Sequence, residues 1–245
     1  MTRNIKSEAI ILRTRRIGDY HKGVSCITPE LGLVDAVVYG GYKGKSKLSG
    51  VTDPFSMLNI HFYYNPVKKS YKVADAEERR TYTGIRGDLE RFFRASLLSE
   101  IVLKSYGGGG DWAPLYFQVK NAFSVLDTCD FRRIDLVIIQ FLWRFLAFSG
   151  YQPDLGRCSS CQEEVEDSES LFLREEDSSF VCSRCAGSSF LITGGTRKYL
   201  NRTLGMDFES SMRIGLDNRS LLSVKRVLLL MVENLLEVKL NSLKF

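Results

Sequence analysis

The stretch EAIILRTRRIGDYHKGVSCITPELGLVDAVVY, residues 8–39, decides how the N-terminal part of the chain folds. EAIILRTRR is a β-rich run and GVSCIT a second one. PELG is a turn built on Pro29 and Gly32, and LVDAVVY is a third run. Working outward, GGYKGKSKLSG (residues 40–50) is a loop with four glycines and three lysines. FSMLNIHFYY (55–64) and KKSYKVADAE (68–77) follow as further strands across an Asn-Pro turn. Five short strands at roughly even spacing in about eighty residues predict a small OB-type barrel over residues 1–80.

Beyond residue 80 the hydrophobic period changes. Leu89, Phe92, Phe93, Leu97, Leu98, Ile101 and Val102 fall on one face at helical spacing. A four-glycine run, 107–110, reads as a connector. Residues 111–127 predict a second helix with Pro114 in its first turn. Residues 131–150 predict a third, apolar on nearly all sides and therefore central. Two more are expected over 193–205 and 218–240. The fold class is α+β: a five-stranded OB barrel (1–80), then an α-helical domain (81–245) with an insertion over 155–190.

That insertion holds four of the six cysteines, as RCSSCQ and VCSRCA. Cys158, Cys161, Cys182 and Cys185 are spaced C-x2-C-x20-C-x2-C. Two intervening residues let both sulfurs of one turn point at one ion, and the interval has the content of a hairpin: polar, β-like at LFLRE, a turn at EDSS, β-like again at FVC. Four sulfur ligands at this spacing predict one structural Zn2+ in a zinc ribbon, with iron–sulfur as the other metal reading. A site closed by four thiolates leaves no open position, so it holds a fold rather than catalyses. Cys26 alternates with Val24 and Thr28 and reads as core, while Cys129 reads as a free thiol in a loop.

Charge is unevenly placed. Residues 1–80 carry 14 Lys/Arg against 8 Asp/Glu, net +6, whereas the whole chain is +5. The excess positive charge therefore sits in the first third, which points to an anionic partner, nucleic acid first. Its basic residues form three groups: Arg13, Arg15 and Arg16; Lys43, Lys45 and Lys47; Lys68, Lys69 and Lys72. Tyr20, Tyr39, Tyr42, Phe62, Tyr64 and Tyr71 are interleaved with them. A cationic groove with stacking platforms suits single strands, although such aromatics also serve as barrel core. Residues 157–187 hold eight acidic and three basic residues and make a poor phosphate-binding face.

Catalytic material is thin. Gly44-Lys45-Ser46 invites a Walker reading, but Tyr39 stands where the first glycine belongs and no helix is expected after it. His21 and His61 fall in different elements. No enzyme is expected. The opening MTRNIKSEAI has no apolar segment, and the apolar runs are short or cut by charge, so neither a secretory signal nor a membrane span is expected. A reducing cytoplasm favours metal over disulfides for the paired cysteines.

Three longer pieces complete the pattern: the opening segment with its Thr-Pro-x-x-Gly turn and basic glycine loop, FSGYQPDLGRCSSC leading into the first cysteine pair, and the ending VKLNSLKF. In this order and across nearly the whole chain they resemble the RecO family of bacterial recombination mediators. Two positions depart from the family's pattern: SSFVC stands where many members have a Gly-Gly step, and His21 where an acidic or polar residue is common. The resemblance implies binding of single- and double-stranded DNA and annealing of complementary strands, including those coated by single-strand-binding protein. It also implies a complex with RecR, indirect loading of the RecA recombinase, and a nucleoid-associated cytoplasmic location. Arg13, Arg15, Arg16, Lys43, Lys45 and Lys47 are the expected DNA contacts. The acidic, Phe-ended tail of the single-strand-binding protein calls for an Arg-rimmed apolar pocket, for which Arg132, Arg133 and Arg144 lie on a suitable helix. Rival readings are a non-catalytic zinc adaptor, an RNA-binding OB/zinc protein, and a thiol-redox enzyme.

Overall fold

The computed structural model describes residues 3–43, 46–105, 110–187 and 190–243. Lys45, Gly44 and most of the four-glycine connector lie outside these residues. The chain divides into two compact units. One runs through Thr128 and takes in Ser242 and Leu243; the other is Cys129–Asn241.

The first unit is a barrel with helices. Its strands are β1 (Asn4–Ile17), β2 (His21–Thr28) and β3 (Gly32–Val38). A short helix, α1 (Leu48–Val51), precedes β4 (Ser56–Asn65) and β5 (Ser70–Thr81). The strands close in the order β1-β2-β3-β5-β4, all neighbours antiparallel except the parallel β3–β5 pair. This is the five-stranded OB arrangement. Alternation sets the faces: Ala9, Ile11, Val24, Cys26, Val34, Ala36, Val38, Leu58, Ile60, Phe62, Val73 and Ala76 fill the interior. Each large aliphatic or aromatic side chain buried there contributes about 1.5–3 kcal/mol. Cys26 is part of this core, and burial raises its thiol pKa to about 12, so it is inert packing. The β1–β2 register shifts between Ile11 and Arg13. That bulge takes up Leu12 and brings Arg13 and Arg15 to the outer face.

Two turns explain local sequence. Gly32 has φ +68, and a Cβ there would lie 2.4 Å from the Trp112 ring, so both conformation and packing require glycine after Thr28-Pro29. At one end of the barrel, Leu48 and Val51 of α1 pack on the core. The buried Lys22 ammonium holds that lid by donating to Asp53, at 2.6 Å, and to the Ser49 carbonyl.

Three helices complete this unit: α2 (Thr83–Gly87), α3 (Leu89–Lys104) and α4 (Ala113–Thr128). Asp88 caps α3 by accepting from the Arg91 N–H, as its place before the periodic run dictates. Phe55 meets Phe92 and Phe123 edge-on at 5.2 and 5.6 Å, and Tyr116 donates to Glu8 at 2.9 Å.

The second unit is built on α5 (Ile134–Phe148), preceded by a 3-10 turn over Phe131–Arg133. Its apolar circumference is buried as the sequence predicts. The ribbon strands β6 (Leu171–Arg174), β7 (Ser179–Val181) and β8 (Leu191–Ile192) form a sheet in the order β7-β6-β8. Helices α6 (Gly194–Leu204), α7 (Phe208–Ser211) and α8 (Asn218–Leu236) follow. Trp143 donates to the Leu200 carbonyl and Lys225 pairs with Asp135 at 2.7 Å, joining α5 to α6 and α8.

Candidate nucleic-acid interface and metal centre

Register places Arg15 and Lys72 in one outward row. Arg15 lies opposite Gly23, Gly23 opposite Val37, Val37 beside Lys72, and Lys72 opposite Tyr63. Their neighbours Val24, Ala36, Val73 and Phe62 point inward, so this row faces out across all five strands. Gly23 is needed because a Cβ would meet the Arg15 side chain at 2.8 Å, so the arginine lies across the strand. The Lys72 ammonium sits 4.5 Å from the centre of the Tyr63 ring. Arg13 stands one row away, opposite Ser25, whose hydroxyl donates to Asp35.

The same register draws two loops together at one end of the barrel. Lys22 pairs with Val38, which brings the β1–β2 turn beside the segment after β3. The Tyr42 N–H donates to the Tyr20 carbonyl at 3.0 Å, and the Gly40 N–H to His21 Nδ1 at 3.0 Å. Arg16 lies 5.8 Å from the Tyr42 ring centre and Lys43 5.4 Å from that of Tyr20. Among the described residues Arg13, Arg15, Arg16 and Lys43 are exposed and make no ion pair. Lys47 differs: it pairs with Asp75 at 3.5 Å. Lys45 lies outside the described residues.

The aromatics separate into two sets. Phe62 is core, and Tyr71 packs on the core and against Tyr64 at 4.9 Å. Tyr20, Tyr39 and Tyr42 are 56%, 61% and 42% exposed. His21 is a ring and hydrogen-bond partner within this loop cluster, and His61 is a strand-face residue between Lys6 and Asp75 in register. Nothing pairs the two histidines for catalysis.

The four cysteines converge. Their sulfurs all lie within 4.8 Å of one another, and Cys161 and Cys182 are 3.9 Å apart. Thiolates bound tetrahedrally to one ion at about 2.3 Å would stand about 3.8 Å apart, so the set fits a zinc-sized ion. Each pair sits on its own turn. The first closes through Gln162 N–H to the Cys158 carbonyl at 2.9 Å, with Gln162 at φ +62. The second closes through Cys185 N–H to the Cys182 carbonyl at 3.1 Å. The turns are tied to each other by Ser159 N–H donating to the Phe180 carbonyl. Burial opposes the Cys158 thiolate, but backbone N–H groups of Cys161, Cys182 and Ser160 outweigh it and lower its pKa to about 6. Cys161 is raised to about 12, first by its hydrogen bond with Cys158 and then by desolvation. A cation bound here would displace the protons that these sulfurs otherwise share. A thiol-redox site would need one pair in a βαβ setting; here both pairs face one point in a three-stranded ribbon.

Two arginines have roles that the sequence conceals. Arg197 of α6 is 5% exposed and donates to four ribbon carbonyls: Leu155, Val165, Glu166 and Glu169, at 2.8–3.0 Å. Gly194, one turn earlier, lies so close that a Cβ would meet the Asp167 carbonyl at 2.1 Å. Arg144 donates to the carbonyls of Thr203, Leu204 and Met206 and so caps α6. Its head is therefore occupied, and Arg132 and Arg133 sit on the 3-10 turn rather than on α5 itself, which corrects the expectation of three arginines on one helix.

Comparison with known proteins agrees with this architecture. A family model described as Recombination protein O N terminal matches residues 1–82, and one described as Recombination protein O C terminal matches 86–244. The chain is 31% identical over 167 residues to the DNA repair protein RecO of Heliobacterium modesticaldum, covering 67% of this chain and 58% of that protein. It is 26% identical over 172 residues to the namesake from Chlorobium limicola, covering 70% and 66%. For Desulfosudis oleivorans the figures are 27% over 206 residues, covering 82% and 78%. With both halves matched in order, this chain belongs to the Recombination protein O family, RecO.

Proposed function

We propose that this protein is a non-enzymatic mediator of DNA repair and homologous recombination. In this reading residues 1–80 bind single- and double-stranded DNA, and 81–245 form the helical domain that carries the ribbon, 155–190. It anneals complementary strands, including strands coated by single-strand-binding protein. With RecR it helps load RecA, in a cytoplasmic, nucleoid-associated setting. The observation that carries the reading is the outward row with Arg15 and Lys72, flanked by Arg13 and the adjoining loops: among the described residues Arg13, Arg15, Arg16 and Lys43 are exposed and make no ion pair. Relatives named DNA repair proteins support it. No described helix is long and apolar enough to cross a membrane.

The physics is coherent. Annealing brings two polyanions together, and cations that displace condensed counterions reduce the repulsion between them. Backbone contacts carry no sequence information, which suits a protein that anneals any complementary pair. Cys158, Cys161, Cys182 and Cys185 would hold one structural Zn2+, which supplies a crosslink and no reaction.

The test is binding of a labelled single strand across a salt series. Arg15→Ala and Lys43→Ala each weaken binding and lower the log–log salt slope by roughly 0.7 for each phosphate no longer neutralised. Lys47→Ala has a smaller effect because Asp75 already shares its charge. Unchanged affinity and slope in the first two variants would remove this face from the interface. Preference for RNA over DNA of the same sequence would favour the RNA-binding reading instead.

A further inference from the structure

We propose that Tyr20, Tyr39 and Tyr42 form a stacking site for unpaired nucleobases at the end of the barrel, so that these rings distinguish single strands from duplex. This rests on the DNA-binding reading and adds to it the groups that sense the unpaired state. Three tyrosines lie about half exposed in one short loop cluster, while Phe62 is core, Tyr64 and Tyr71 pack on one another, and the half-buried Tyr63 lies beside Lys72. An exposed ring by itself means little, since much of any protein surface is apolar. Here the rings share a built setting.

The backbone beneath them is pinned. Tyr42 N–H binds the Tyr20 carbonyl, Gly40 N–H binds His21, and the His21 ring meets Tyr39 edge-on at 5.0 Å. Gly41 packs so tightly that a Cβ would lie 2.8 Å from Lys22. The rings are thus held before any ligand arrives, which reduces the ordering cost of binding. Cations stand beside two of them. Lys43 lies 5.4 Å from the Tyr20 ring, and Arg16 and the buried Lys22 lie 5.8 and 5.3 Å from that of Tyr42. A base on a ring would therefore have its phosphates within reach of Arg16 or Lys43. In a duplex both faces of each base are taken by its neighbours, so only an unpaired base can use such a ring.

The double substitution Tyr20→Leu with Tyr39→Leu tests this, since it keeps bulk and removes the π faces while leaving Tyr42 over Lys22. Affinities are measured for an oligothymidylate and for a duplex of equal length. The variant loses at least about tenfold on the single strand, with duplex affinity and both salt slopes unchanged. Tyr20→Phe with Tyr39→Phe retains wild-type single-strand affinity. 2-Aminopurine within the single strand is quenched by the wild type and by the Phe variant, and not by the Leu variant. Equal loss on both polymers, or no loss on either, overturns the stacking site and leaves the DNA-binding reading standing. Failure of the wild type to bind either polymer overturns both. If the double variant does not fold, Tyr39→Leu alone gives the same comparison at the most exposed of the three rings.

Discussion

Replacing Cys158 and Cys182 together by serine abolishes metal binding and unfolds the ribbon. These are the two buried sulfurs, one from each turn, so neither turn keeps its pair. The ribbon strands span only four, three and two residues and cannot supply an independent core. Metal bound to four such thiolates contributes on the order of 10–16 kcal/mol of apparent binding energy, which in a small ribbon is folding energy. Elemental analysis should return one zinc per chain for the wild type and none for the variant. Hydrogen exchange should lose protection in β6 and β7 while the barrel strands, in the other compact unit, keep theirs. A variant that keeps its metal, or a metal-free ribbon that stays protected, would contradict the assignment.

Arg197→Ala detaches the same ribbon from the helical unit without touching a ligand. Four carbonyls lose their donor at once, in a place water reaches poorly. A buried acceptor left unpaired costs about 1–3 kcal/mol, and some recover partners by relaxation, so the total should be on the order of 3–5 kcal/mol. Arg197→Lys should fall between, because an ammonium has three donors and no planar fork. Denaturant unfolding followed on this unit measures the loss, and release of metal to a chelator should quicken in parallel. A change below about 1 kcal/mol would show that the contacts of α8 suffice: Ser223 to the Leu191 carbonyl and Asn234 to the Glu175 carbonyl.

The barrel was readable because period-two alternation is a local property. EAIILRTRR and LVDAVVY carry it on their own, and the observed strands extend those runs by a few residues at most ends. Its closure was not readable in the same way. The parallel β3–β5 pairing joins segments separated by α1 and β4, and only that pairing sets Lys72 in the row that holds Arg15. The bulge at Leu12 was hidden for the same reason, as nothing in LRTRR marks a shift of register. Helices α1, α2 and α7 are four or five residues long and too short to show a period.

The convergence of the four cysteines was legible from spacing, since sulfurs at C-x2-C-x20-C-x2-C on two turns joined by a hairpin leave little freedom. The surface residues were legible as a class and not as a geometry. Charge counting found Lys43 and Lys47 together, but only the folded chain shows Asp75 beside one of them. The sequence marks Arg144 as a candidate pocket rim and gives Arg197 no signal, yet both heads are taken up by backbone carbonyls. Only the arrival of a distant loop or helix end reveals such a role.

The most direct measurement of the central claim is annealing of complementary labelled oligonucleotides precoated with single-strand-binding protein, without nucleotide, over a salt series. The account predicts annealing that accelerates with added protein, fades steeply as salt rises, and drops in the Arg15→Ala and Lys43→Ala variants. No acceleration over the uncatalysed rate, from protein with its full complement of zinc, would contradict it and leave an adaptor that works through protein contacts.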